Sequence, residues 1–235
     1  MGKVKIKRKS TLIDMTAMSD VTVLLLTFFM LTSTFLQKEP IVVNTPSSVS
    51  EMKVPETNLV QILVSPKGQV FISLSGDKDS TYSSEKVRAE LLKNVVAEYN
   101  KHHKGNQVEL TQKEVNTFAK NASFGYPIGQ LAKFLDEPQT KQDQLLDPAK
   151  NPNAGIPISI NKDLERPNEF QIWMRALYNT NNENLRAAIK DGAGIAIKAD
   201  KETPYDVVNV VMDNLQTLKM NKFSLLTALK SEEAK

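Results

Sequence analysis

One acidic residue inside an otherwise apolar stretch constrains this chain more than any other feature. From Ile13 to Leu36 the sequence reads IDMTAMSDVTVLLLTFFMLTSTFL, and its uncharged part, Val21 to Leu36, is 16 residues long. That part alone is short for a bilayer. Extending it back through Asp20 to Ile13 gives 24 residues, about 36 Å of helix against a hydrocarbon core of about 30 Å. Five basic residues precede it: Lys3, Lys5, Lys7, Arg8 and Lys9. Such clusters stay on the cytoplasmic side, so the helix is expected to run outward and leave residues 37–235 on the far side. A cleaved signal peptide has a shorter apolar region closed by small residues. Here Thr32, Ser33 and Thr34 are followed at once by bulky Phe35 and Leu36.

A carboxylate at the centre of an inserting helix costs about 2.5 to 3.5 kcal/mol, so a plain anchor has no reason to carry Asp20. At roughly 100° per residue, Thr16, Asp20, Thr27 and Thr34 fall within about 40° of one another and form a polar seam. Met18, Leu25, Phe29 and Leu36 lie opposite. A seam of this kind is expected to face protein or water. Desolvation raises a carboxyl pKa, which would let a buried Asp20 cycle between neutral and charged forms. The alternative is structural: Asp20 as the N-cap of a shorter helix beginning near Val21, at the headgroup boundary.

Charge is as uneven as hydropathy. The chain carries +3 overall, and the five basic residues of the tail, less Asp14 and Asp20, account for all of it. Residues 37–235 are therefore neutral as a whole, which removes the cationic surface that nucleic-acid binding requires. The absence of cysteine excludes disulfides, thiolate metal sites and cysteine nucleophiles.

Asp14, Thr16, Asp20, Val21, Leu25, Leu26, Phe29 and Met30 resemble the membrane-helix signature of the ExbD/TolR family, proteins of bacterial proton-driven energy-transducing complexes. Ala17 stands where the family has proline, and Ser19 where it has an apolar residue. A second block, IAIKADKETPYDVVNVVMDNLQTLKMNKFSLLTAL, is similar to the family's strand, Asp, helix, strand ending. The resemblance implies a single-pass inner-membrane protein with a cytoplasmic N-terminus and a periplasmic domain. It also implies Asp20 as the proton-carrying group of a helix dimer, formed with a second copy inside a pentameric ExbB-like multi-span partner. A TonB-like periplasmic transducer would receive the motion. A TolR-like role in envelope integrity, and a membrane-anchored periplasmic binding module without a motor, are the alternatives.

The expected organisation is a basic tail at 1–12, a transmembrane helix at 13–36, a Pro- and Ser-rich linker at 37–58, and an α+β domain at 59–235 with helices on one face of a small sheet. Ile41 to Val43 is a candidate edge strand within the linker. In the domain, LVQILV, the turn Ser65–Gly68 and QVFISL predict a hairpin. Val87, Leu91, Val95 and Tyr99 predict a helix from Ser84 to about Lys104. A helix is expected at Thr111–Ala122, a strand at Ile195–Ala199, a helix capped by Thr203 with Pro204 in its first turn, and a final strand at Phe223–Leu229. Residues 105–180 read as an insertion, irregular from Pro127 to Ile172 because of its six prolines.

No catalytic constellation, cofactor motif or metal site is expected, and so no enzyme activity. His102 and His103 are adjacent and point in different directions, which suits a solvated helix end better than a metal site. Asp77 and Asp79 start like an EF-hand, but Tyr82 occupies its glycine position. Asp200 reads as a turn residue after a strand.

Overall fold

The computed structural model describes residues 15–32, 41, 43–45, 47–48, 55, 57–75, 83–226 and 228–229. The chain divides into two units, residues 1–37 and 38–235. The first contains helix α1, Met15–Thr32. Its 18 residues span about 27 Å. The tail, the flanks Ile13, Asp14 and Thr34–Leu36, and the Asp77–Tyr82 motif lie outside the described residues.

The second unit is α+β. Its elements are β1 (Ser47–Ser48), β2 (Leu59–Val64), β3 (Val70–Ser75), α2 (Ser84–His102), α3 (Gln112–Lys120), β4 (Ser123–Phe124), a 3-10 turn (Ile128–Gln130), α4 (Leu131–Asp136), α5 (Gln139–Leu146), α6 (Glu169–Tyr178), α7 (Glu183–Asp191), β5 (Ile195–Ala199), α8 (Tyr205–Thr217), β6 (Ser224–Leu225) and β7 (Ala228–Leu229). Five strands form a mixed sheet in the order β4-β3-β2-β5-β6, and β1 pairs with β7 in a separate two-stranded ladder.

Alternation of side chains along the strands builds the core. Val60, Ile62 and Val64 pair with Leu74, Ile72 and Val70 on one side and with Ile195, Ile197 and Ala199 on the other, so these aliphatic rows share one face. The opposite face mixes buried Leu63, Phe71 and Ala196 with partly exposed Gln61, Ser73 and Lys198. The β2–β3 hairpin closes at Gly68, whose φ of 80° suits glycine. Its amide donates to the Ser65 carbonyl at 2.9 Å.

The helices form one contiguous layer, since α6 packs against α2, α7 and α8. Val87, Leu91, Val95 and Tyr99 are all buried, as their spacing predicts. Thr111 caps α3 in a full capping box with Glu114.

The structure departs from the sequence expectations in four places. The stretch from Pro127 to Ile172 is not irregular throughout: it holds the 3-10 turn, α4, α5 and the start of α6. Pro127 and Pro138 sit at the N-caps of the 3-10 turn and of α5, where a missing N–H costs nothing. Pro204, not Thr203, is the N-cap of α8. The Thr203 hydroxyl instead donates to the Ser65 carbonyl at 3.1 Å. Ile41 and Val43 are not in a strand, although both are buried in the core, while Val42 lies outside the described residues. The expected final strand is two short ones, β6 against β5 and β7 against β1.

Candidate functional site

Asp20 is the sixth residue of α1 as described, with a helical turn on its N-terminal side. An N-cap residue has one intrahelical side only, so the capping role is overturned. Ala17, in the first described turn, is a strong helix former that keeps its N–H.

Four hydroxyls of α1 bond to the helix itself. Ser19 donates to the Met15 carbonyl at 2.8 Å, Thr22 to Met18 at 2.9 Å, Thr27 to Leu24 at 2.9 Å and Thr32 to Phe28 at 2.7 Å. Back-bonding of this kind hides a hydroxyl from an apolar medium. It shows how Ser19 can stand at a position otherwise apolar. Asp20 has no such recourse, because an ionised carboxylate has only acceptors and cannot donate to a helix carbonyl.

Thr16 and Asp20 are four residues apart and Thr27 seven further on, so the three lie along one side of α1. Thr34 lies outside the described residues. Hydroxyls also occur off this line, at Ser19, Thr22 and Thr32, so Asp20 is what sets the seam apart. Every residue of α1 is exposed in the isolated chain, including Leu24, Leu26, Phe28, Phe29 and Leu31. Among the described residues it is the one helix long and apolar enough to cross a membrane by length and composition.

In the second unit, the other candidates resolve into structural roles. The His103 ring stacks on Tyr99 with centroids 4.1 Å apart, and His102 lies 3.5 Å from Glu98. Among the described residues no group of His, Cys, Asp or Glu is placed to hold a metal ion. Asp200 is buried and closes the turn after β5, its Oδ1 accepting from the Glu202 amide at 3.0 Å.

Two charges, one buried and one half-buried, are not marked by the sequence. Arg88 is 1% exposed. Its Nε donates to the Ala119 carbonyl at 2.7 Å, and burial pulls the guanidinium pKa down. Glu169 opens α6, and its Oε2 accepts from the Ile128 amide at 2.7 Å. Burial pushes its carboxyl pKa up, against the opposing pull of that amide and of His103. A helical period marks Arg88 as lying beside Val87 and Leu91, but one sequence does not show which carbonyls await it.

Residues 7–120 match the family model described as biopolymer transport protein ExbD/TolR. The match places these residues, just under half of the chain, in the ExbD/TolR family. The match takes in α1 with Asp20, the hairpin, α2 and α3. The strand-helix-strand ending that resembles the family's lies beyond the matched residues, and the structure forms it as β5, α8 and β6. Neither curated proteins nor solved structures return a match. Family membership assigns this ExbD/TolR protein to biopolymer transport and, with α1, makes it membrane-anchored.

Proposed function

We propose that this ExbD/TolR protein is the proton-harvesting subunit of an ExbB–ExbD-like inner-membrane motor that energises TonB-dependent outer-membrane transport. The observation that carries the reading is Asp20 inside a continuous apolar helix in which Ser19, Thr22, Thr27 and Thr32 are satisfied by their own backbone. A carboxylate so placed stays costly until something outside the helix receives it. The receiving surface would be the interior of a pentameric ExbB-like protein, occupied by a dimer of this chain, with residues 38–235 in the periplasm. Asp20 would pick up a proton from one side and release it to the other. Each elementary charge moved through the membrane potential supplies about 2.3 kcal/mol per 100 mV. The periplasmic domain would hand the resulting motion to a TonB-like protein.

The test is Asp20→Asn, which keeps the size and hydrogen-bonding shape of the side chain and removes its titration. Co-purification with the multi-span partner in mild detergent should survive while energised uptake is abolished. Uptake at the wild-type rate would overturn the proton role. Capture of a TolA-like protein in place of a TonB-like one would assign the same motor to envelope integrity.

A further inference from the structure

The segment that follows the membrane helix in sequence does not begin its contacts with the outer domain at β2. Ile41 and Val43 are 6% and 7% exposed and belong to the domain's hydrophobic core. Between them and the proline-rich residues beyond, the Asn44 amide donates to Asp200 Oδ2 at 2.8 Å. The Lys201 amide donates back to the Asn44 carbonyl at 2.9 Å. Ser47 and Ser48 then pair with Ala228 and Leu229. The chain thus seats a strap, residues 41–48, on the domain before it enters β2.

The chemistry at Asp200 explains why that residue is a carboxylate. Its two oxygens accept from two different backbone amides, Asn44 on Oδ2 and Glu202 on Oδ1. An asparagine offers one acceptor oxygen and would turn an N–H₂ group toward the second amide. An aspartate satisfies both, with the added strength of an ionised acceptor. Asp200 is itself anchored, its amide donating to the Val64 carbonyl at 3.2 Å, and the Thr203 hydroxyl ties the same turn to Ser65 at 3.1 Å. Asn44 is therefore bonded to the point where the parallel strands β2 and β5 end together.

We infer that Asp200 is a positioning residue that clips the post-membrane strap to the C-terminal ends of β2 and β5, so that displacement of the membrane helix enters the domain through the centre of its sheet. The force interpretation rests on the motor reading above; the seating of the strap does not. With the clip closed, the sequence between Thr32 and the first seated residue is 33–40; with it open, the connection lengthens toward Leu59, and displacement is spent on that longer connection before it loads the sheet.

The experiment compares the wild-type complex with Asp200→Ala and Asn44→Pro, in full-length protein held with its membrane partner. Asn44→Pro deletes the donating N–H from the strap side, at a residue whose side chain is exposed, and so tests the bond without altering the buried Asp200. Hydrogen exchange is read over peptides spanning 41–48, 59–64 and 195–199, beside energised uptake. In wild type the 41–48 peptide should be protected. Each variant should speed its exchange by about tenfold or more, the scale of losing one charge-assisted hydrogen bond, with 59–64 and 195–199 unchanged. The double variant should add nothing further, because both changes break the same bond. Uptake should fall several-fold in both.

Free exchange of 41–48 in the wild-type complex would overturn the seating. A released strap with wild-type uptake would overturn the coupling while leaving the motor reading standing. If Asp20→Asn also left uptake untouched, the motor reading would fall, and the exchange data would still decide whether the strap is seated.

Discussion

Three ionisable residues of this chain sit where charge is awkward, and each is handled differently. Asp20 stands in an apolar helix; Arg88 is buried against backbone carbonyls; Glu169 is half-buried with one amide donor. Glu169 lends itself to a titration. Its folded pKa is raised above the ordinary carboxyl value, chiefly by burial. The stability it contributes is therefore full below the unfolded carboxyl range and lost as pH rises through the folded value. Glu169→Gln keeps an oxygen to accept from the Ile128 amide and carries no charge. Urea melts from about pH 4 to about pH 8 should show the variant gaining on wild type as pH rises. A gap constant across that range would show that the ionised form is not the costly one.

At the scale of elements, the hairpin, α2, α3, β5 and α8 were legible because their apolar residues recur at periods of two or near 3.6, bounded by Ser-Pro-Lys-Gly at the hairpin and by Pro204 before α8. The region from 127 to 178 was less legible for two physical reasons. The 3-10 turn, α4 and α5 are three to eight residues long, too short to show a period, and Pro127 and Pro138 open helical turns where a run of prolines suggests irregular chain. α6 fails differently. Phe170, Ile172, Trp173, Met174, Ala176 and Leu177 are all buried, so the helix is apolar nearly all round and shows no polar face to read. Of the candidate site, Asp20 was legible from its own cost, while the Asn44–Asp200 bond joins residues 156 apart and leaves no local trace. Packing at the β3–β4 edge is equally invisible in sequence and makes a sharp prediction. A Cβ built on Gly125 would lie 2.2 Å from Phe71 Cδ1, and Phe71 is 0% exposed, so its ring has nowhere to go. Gly125→Ala should cost about 1 to 3 kcal/mol in chemical denaturation. Adding Phe71→Leu should recover part of it, and a fully additive pair would mean the two sites do not touch.

At the scale of the whole molecule, a membrane helix and an outer domain with separate packing imply that damage to one need not register in the other. The core is built wholly from residues of the second unit, from Ile41 to Met220. α1 contributes no buried residue to it. Asp20→Asn should therefore leave the thermal unfolding of the outer domain within about 0.5 kcal/mol of wild type, the limit expected of independent sites, while removing energised uptake. Gly125→Ala should do the reverse, lowering the melting temperature while leaving α1 and Asp20 unchanged, so that uptake persists at temperatures where the domain stays folded. Combining the two substitutions should give the melt of one and the uptake of the other. Coupling between them in the melt would require Asp20 to be read by the outer domain's own packing. The motor reading would then have to be replaced by one in which the carboxylate stabilises a fold and does not carry a proton.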